Sequence, residues 1–485
     1  MNSKIKYILL GLSALVLTSC AGSDYHKYPT GRSSKGGDNT PTYSYYGQSS
    51  RPGENTYQDP QSRRTVNVSL TSSTFSYPCV REAINHNSLE GAAYAARVEE
   101  MLNYFSYGYL HEGGNALSTT LELRECPWNP SSYLASVVVK AKTAPSAHGN
   151  NNFVILVDRS GSMQGVFDLV KKSLNALIDK LTINDTVSIV SYASGVTVEA
   201  DGLTGSESDQ LRTIVNNLTA SGSTWGEGGI EKAYELANKH FIEGGNNRVV
   251  LLTDGDFNVG QVTGNQLTRL IKQKAQSGVY LTCCGYRCFD NGTLYALSEN
   301  GNGNAYYIDG ELEATKVFDK EFDKAMYTVA KDAKCQIEFS NAVTSYRLIG
   351  YETRQMSDQE FEDPQTDAGE IMSDHTTVAL YELKLRDVWN DDFIFKATLN
   401  YKDAATNGNR TVTDVKNTIS IFHESDFFFA SYVAEYGLLL INSQYKGIAS
   451  YSHLLDRINN TFIDDVYRQD FVATVRKTRD LQNAQ

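Results

Sequence analysis

The chain has 485 residues, room for about three domains at roughly 150 residues each, and 41% of them are hydrophobic, ample for globular cores. Its 44 basic residues stand against 57 acidic ones, a net charge of −13. That balance would repel a phosphate backbone and offers no basic stripe, so nucleic acid is excluded as a partner.

Residues 1–19 begin with Lys4 and Lys6 and continue through an apolar core over 7–17, too short to span a bilayer. This is the pattern of a secretory signal. It runs into Leu17-Thr18-Ser19-Cys20, which resembles a bacterial lipoprotein processing box. The resemblance implies that Cys20 becomes the lipid-carrying first residue, so that the protein is attached to a membrane through the lipid alone. An ordinary signal with a chance cysteine is the alternative. Ala21 in place of an acid favours the outer membrane, by analogy with Gram-negative sorting, with the periplasmic or the surface face left open. Residues 20–64 are rich in Gly, Ser, Tyr, Pro, Asn and Thr and poor in aliphatics. They read as a solvated tether, because they bury too little surface to offset the entropy of ordering.

Residues 65–148 contain Val66-Asn67-Val68-Ser69-Leu70, which alternates as a strand. Val98, Met101, Leu102 and Phe105 follow at the spacing of one helix face, and Val137-Val138-Val139 reads as a further strand.

The next segment, 149–331, is built around Asp158-Arg159-Ser160-Gly161-Ser162. The run Phe153-Val154-Ile155-Leu156-Val157 before it fits a parallel strand covered on both faces. Val166, Val170, Leu174, Leu177 and Leu181 after it recur at helical spacing. The turn therefore lies at the carboxyl end of a parallel strand, where open α/β sheets place their ligands. Asp158, Ser160 and Ser162 offer hard oxygen donors suited to Mg²⁺, Mn²⁺ or Ca²⁺. Taken alone they serve equally well as a helix cap, with Ser162 at the N-cap and Asp158 at the positive end of the dipole. Two later stretches bear on the choice. Ser221-Gly222-Ser223-Thr224-Trp225-Gly226 precedes a helical pattern through Ile230, Ala233, Tyr234, Ala237 and Phe241, and Arg248-Val249-Val250-Leu251-Leu252-Thr253-Asp254 is a second buried strand ending in a carboxylate.

These three stretches together resemble the von Willebrand factor type A domain, whose metal-ion-dependent adhesion site is formed by three such loops. The resemblance implies a Rossmann-like, mostly parallel sheet flanked by helices, and a divalent ion held by Asp158, Ser160, Ser162, Thr224 and Asp254, in part through water. Thr224 rather than Ser223 matches the family's spacing to the helix start at Gly229 and Ile230. Two carboxylates and three neutral hydroxyls would neutralise the ion and leave a position for an oxygen of the partner, an Asp or Glu carboxylate. Further stretches, ARVEEMLNYFSYGY from Ala96, CPWNP from Cys126, GGNNRVVLLTDGDFNVG and YRLIGYE, resemble a bacterial group of secreted von Willebrand A proteins over nearly the whole mature chain.

Residues 332–425 bring strand-like runs at 335–339, 346–351, 377–385 and 393–401. In the last, Phe393, Phe395, Ala397, Leu399 and Tyr401 alternate with Ile394, Lys396, Thr398 and Asn400, the mark of an antiparallel strand with one wetter face. The expected architecture is an α/β domain inserted in a β-sandwich made of strands from both sides of it. Residues 357–374 carry seven acids and no base. They read as a solvated loop, with a second cation site around Asp358, Glu360, Glu362 and Asp363 as the alternative. Residues 426–485 hold helical spacings through Phe428, Tyr432, Val433, Tyr436 and Leu440, then Leu454 and Leu455, then Phe471 and Val475, the pattern of a packed helical module. Of the six cysteines beyond Cys20, Cys79 with Cys126 is the favoured disulfide in an exported chain. Cys283, Cys284 and Cys288 lack a trusted zinc spacing, and Cys283 or Cys284 reads as strand core.

A serine hydrolase would need a positioned base beside its nucleophile, and Ser160 lacks the Gly-x-Ser-x-Gly elbow. Three classes remain: a metal-dependent module binding a protein partner, a scaffold lipoprotein whose metal site is idle, and a metal-dependent hydrolase. The first is the expectation, with no enzymatic activity.

Overall fold

The computed structural model describes residues 53–143, 150–223, 226–255, 264–286, 291–420, 425–459, 463 and 465–484. Cys20, Thr224 and Cys288 lie outside the described residues, as does most of the expected tether.

The run around Phe153 is the strand Asn151–Asp158, buried along its whole length. It sits in a six-stranded sheet with the order Val196–Thr204, Thr186–Tyr192, Asn151–Asp158, Asn246–Thr253, Tyr280–Gly285, Ala305–Tyr307. All neighbours are parallel except the pair at the Val196–Thr204 edge. Successive residues explain the unbroken apolar run, because each face of the sheet is covered. Val154 and Leu156 pack with Ile230, Ala233 and Tyr234 of the helix Gly226–Lys239, while Phe153, Ile155 and Val157 pack with Val170, Leu174 and Leu177 of the helix Phe167–Lys180. Cys283 and Cys284 fall on opposite faces of their strand, both in core.

The sandwich is built from both sides of this domain. Thr65–Ser69 lies antiparallel to Thr328–Phe339, which pairs in turn with Phe395–Asp403 and the edge strand Asn409–Lys416. In the facing sheet, Tyr133–Ala141 joins Leu117–Glu125 to Thr376–Leu385, with Val343–Ile349 outside it. Val66, Val68, Val137, Val139, Ile337, Ala397 and Leu399 fill the space between the sheets. The strand expected over 393–401 forms two residues later, as Phe395–Asp403, and Ile394 at its entry is buried with the inner set.

Residues 76–104 are largely helical and lie between the C-terminal helices and the outer face of the sandwich, where Asn103 Oδ1 accepts the Val378 N–H at 3.0 Å. Ser76–Asn85, Leu89–Ala95 and Val98–Tyr104 pack with Ser425–Leu440, Tyr451–Asn459 and Val466–Asn483 in one cluster. At its centre Phe105 meets Phe429 edge to face at 5.0 Å and Phe471 at 5.5 Å, a favoured aromatic geometry. Among the described residues no helix is long and apolar enough to cross a membrane.

Arg81 ties three regions of the chain together. Its guanidinium meets Asp309 through Nε and Nη2 at 2.7 and 2.6 Å, Glu313 at 3.0 Å and Asp470 at 3.0 Å. The first two acids directly follow the last strand of the α/β sheet, and Asp470 belongs to the C-terminal helix Val466–Asn483.

Three expectations are corrected. Residues 53–64 are not free tether: Asn55 donates to the carbonyls of Leu348 and Gly350, and Gln58 and Tyr346 exchange backbone hydrogen bonds. These polar residues are held by the open edge of Val343–Ile349, which supplies hydrogen bonds where apolar burial is lacking. The Cys79–Cys126 disulfide is not formed. Cys126 keeps a buried thiol, whose pKa is pushed up to about 12 by burial and by Glu382, so the reactive thiolate is suppressed. The acidic stretch 357–374 is more ordered than a solvated loop. It contains a helix Asp358–Glu362 with a Ser357–Glu360 capping box and a strand Gly369–Met372, with Phe361 packed on Met356 and Ala368.

Candidate metal centre

Three chain turns converge at the carboxyl end of the α/β sheet. Asp158 ends its strand with no exposed surface, Ser160 follows at 2% exposure, and Asp254 lies at 2% just past the neighbouring parallel strand. Ser162 faces solvent, and its Oγ lies 3.0 Å from that of Ser160. The turn enters a short 3-10 helix, Gly161–Gly165, in which Ser160 makes no side-chain cap bond. Capping therefore leaves its hydroxyl and that of Ser162 unexplained.

The second turn is stitched to the first by backbone. Ser221 N–H donates to the Arg159 carbonyl at 2.6 Å and Gly161 N–H donates to the Gly222 carbonyl at 3.0 Å. Gly222 has φ +96°, the left-handed region that favours glycine, and a Cβ there would stand 2.8 Å from the Ser194 hydroxyl that seats the loop. Ser223 is seated by Ser194, whose hydroxyl accepts its N–H at 3.1 Å. Thr224 is the next residue and lies outside the described ones. Asp158, Ser160, Ser162 and Asp254 are thus gathered at one end of one sheet.

Asp158 is held from both sides. Its Oδ1 accepts the Ser160 N–H at 2.8 Å, and its Oδ2 accepts the Thr253 hydroxyl at 2.9 Å. Thr253 Oγ1 in turn accepts the Gly255 N–H at 3.3 Å. Burial raises the Asp158 pKa against these hydrogen bonds, and the charge of Asp254 adds to the rise. No ammonium or guanidinium among the described residues forms an ion pair with Asp158. A buried carboxylate with hydrogen bonds but no countercharge is a fitting seat for a cation. The neighbouring donors are hydroxyl and carboxylate oxygens, which suit a hard divalent ion. Asp158, Ser160, Ser162 and Asp254 would hold it, and the ion would supply an electrophilic position for an incoming oxygen.

Two positioning residues escape a reading of the sequence alone. Thr253 is indistinguishable there from the last residue of a buried strand, although its place immediately before Asp254 is a usable signal. Tyr192, fully buried, lies beneath the site; burial and then the Asp158 charge hold its hydroxyl well above the ordinary phenol range. Gly229 admits it, since a Cβ there would come 3.0 Å from the Tyr192 ring.

Residues 152–320 match the family model described as von Willebrand factor type A domain. The chain contains a von Willebrand factor type A domain. Around it, residues 43–136 match a model described as von Willebrand factor, and residues 324–481 match one described as Uncharacterized protein YfbK, C-terminal. The chain is 37% identical over 331 residues to the uncharacterized protein YfbK of Escherichia coli (strain K12), a match spanning 65% of this chain and 57% of that one. It is 24% identical over 209 residues to inter-alpha-trypsin inhibitor heavy chain H4 of Bos taurus, covering 40% of this chain and 22% of the relative. Among solved structures, a von Willebrand factor type A protein from Catenulispora acidiphila aligns with 77% of this chain and 91% of its own, at 17% identity and a TM-score of 0.44. Domains of the von Willebrand A type are protein-interaction and adhesion modules, and none of these relatives is named as an enzyme.

Proposed function

We propose that the von Willebrand A domain binds a divalent cation, Mg²⁺ or in its place Mn²⁺ or Ca²⁺, through Asp158, Ser160, Ser162, Thr224 and Asp254. The ion is completed by an Asp or Glu carboxylate of a protein partner. The observation that carries this reading is Asp158: sealed from solvent, hydrogen-bonded at both oxygens and without an ion-pair partner among the described residues. Two acids balance the ion, and the neutral hydroxyls leave it electrophilic toward a further oxygen. In the same proposal the chain is attached to the cell envelope through a lipid on Cys20, on the outer membrane, and acts as a binding module without turnover.

Calorimetric titration of the full chain with Mg²⁺ and Mn²⁺ tests the site, and pulldown from envelope extracts with and without chelator tests its use. Uptake of either ion together with chelator-sensitive capture of a protein supports the reading. A chain that takes up neither ion at millimolar concentration overturns it, and capture indifferent to chelator would leave the scaffold reading in its place.

A further inference from the structure

The von Willebrand A domain meets the rest of the chain along a seam to which three regions bring charge. The helix Val98–Tyr104 carries Glu99 and Glu100, the sandwich carries Arg354 in the turn after Val343–Ile349, and the helix Asn291–Asn300 of the inserted domain carries Glu299. Glu99 and Glu100 are buried, at 1% and 0% exposure. Neither oxygen of Glu99 and only one of Glu100 finds a hydrogen bond among the described residues, that one accepting the Ser76 N–H at 3.1 Å. Glu99 is pressed against the same turn, where a Cβ on Gly350 would stand 2.6 Å from its Oε2. Arg354, with no exposed side-chain surface, reaches Glu299 at 3.4 Å and lies over the Tyr295 ring at 5.4 Å.

One sandwich guanidinium thus faces acids from two other regions. Arg97, the other base near Glu100, directs its Nη1 to the carbonyls of Tyr94 and Ala96. A buried carboxyl short of hydrogen bonds and countercharge keeps its proton to a higher pH. Burial and then Glu99 raise Glu100 to about 7, and burial, then Asp367 and Glu100, raise Glu299 to about 8. Farther along the sandwich side, Asp367 and Glu370 are raised as well, by burial first and then by Asp332. Lys272 and Lys402 act against the rise at Asp367, and Lys331 against that at Glu370, which also lies within electrostatic range of Arg248 in the inserted domain. The Glu299 side chain keeps 20% of its surface exposed, so water and protons have a way into the seam.

We infer that this seam is a pH-sensitive joint, closed between the inserted domain and its frame while Glu100 and Glu299 hold protons and loosened as they ionise. In an opened seam both acids would meet water and titrate near 4.5, the ordinary glutamate value. Between that value and about 7 or 8 the closed seam holds protons that the open one has released, so closure weakens as pH rises through the window and levels off above about 8. Glu313, held up by burial at the Arg81 cluster, titrates elsewhere in the domain, and a reading resolved by segment keeps the two apart.

Hydrogen–deuterium exchange of the full-length protein in detergent, compared at about pH 6 and about pH 8.5 and corrected for the chemical exchange rate, reads the opening of each segment. Protection of residues 293–300 and 350–356 should fall about tenfold or more between the two conditions, the span expected when carboxyls give up protons held only in the closed seam. The helix Phe167–Lys180, on the opposite face of the same domain's sheet, should keep its protection. Glu100→Gln combined with Glu299→Gln keeps the shapes and removes both titrations, and should leave the seam equally protected at the two pH values. Each single variant should show a smaller fall than wild type. Equal protection of the wild-type seam at both pH values, a fall shared by the control helix, or a fall in the double variant as large as in wild type would each overturn the inference.

Discussion

Thr253 donates its hydroxyl hydrogen to Asp158 across two neighbouring parallel strands, Oγ1 to Oδ2 2.9 Å, and the same Oγ1 accepts the N–H of Gly255 one residue beyond Asp254. One hydroxyl thus joins the first and third loops of the candidate centre. Groups that orient a metal-binding carboxylate typically change affinity about 10- to 100-fold when removed. Thr253→Val, which keeps the shape and loses the hydroxyl, should weaken Mg²⁺ binding by about that factor in calorimetry, and Thr253→Ser should restore most of it. Unchanged affinity in the valine variant would mean that Thr253 serves the sheet and not the ion.

Asp158→Ala removes a carboxylate from the candidate ion site and should abolish both the Mg²⁺-dependent rise in Tm and chelator-sensitive capture of a partner. Stabilisation by a ligand follows its occupancy of the folded state, so the rise in wild type should grow with Mg²⁺ concentration. Thr224→Ala deletes a neutral donor that water can replace, and should leave a partial rise. An equal Mg²⁺-dependent rise in wild type and Asp158→Ala would place any bound ion elsewhere.

Much of the fold is legible in the sequence because burial leaves a period in it. The unbroken run from Phe153 to Val157 announces a strand covered on two faces, and the alternation through Ala397, Leu399 and Tyr401 announces a sandwich strand with one inner face. The first and third candidate loops are equally visible, since Asp158 and Asp254 each close such a run. What stays hidden depends on partners far along the chain. The polar stretch 53–64 resembles a linker until Asn55 finds the carbonyls of Leu348 and Gly350. Arg81 shows no tie to Asp309, Glu313 and Asp470 before the fold assembles them. Cys79 and Cys126 share a segment, but sharing a segment does not bring two thiols into bonding geometry.

The Arg81 cluster predicts a large stability effect from one substitution. Arg81 has 5% side-chain exposure, Asp309 7% and Glu313 1%. Removing the guanidinium that these acids share among the described residues leaves Asp309 buried without its ion-pair partner and Glu313 with only the nearby Lys316 charge, a loss that typically costs about 3–5 kcal/mol. Arg81→Met should lower the urea midpoint accordingly, whereas Asp470→Asn, at a position 26% exposed, should cost less. Equal losses in the two variants would count against a graded, burial-dependent cluster.

Lipid attachment is checked separately. Cys20→Ala should abolish metabolic labelling with a radioactive fatty acid and move the protein from the membrane fraction to the soluble one. Retention in the membrane fraction without label would point to another anchor.

Glu100 gives the pH dependence a sign. It is fully buried, and burial, then the neighbouring Glu99, raise its pKa to about 7 against the pull of Arg354, Arg97 and the Ser76 N–H. In the unfolded chain the same group titrates near 4.5, the ordinary glutamate value. Between those two values the folded protein holds a proton that the unfolded chain has released, so stability falls as pH rises through that window and the contribution levels off above about 7. Glu100→Gln removes the titration while keeping the shape and an acceptor for Ser76. Its urea midpoint should therefore decline less steeply than that of wild type between pH 5 and about 7, with the two curves running parallel above. Identical slopes through that window would show that Glu100 is already ionised at pH 5, its charge held by Arg97 and Arg354.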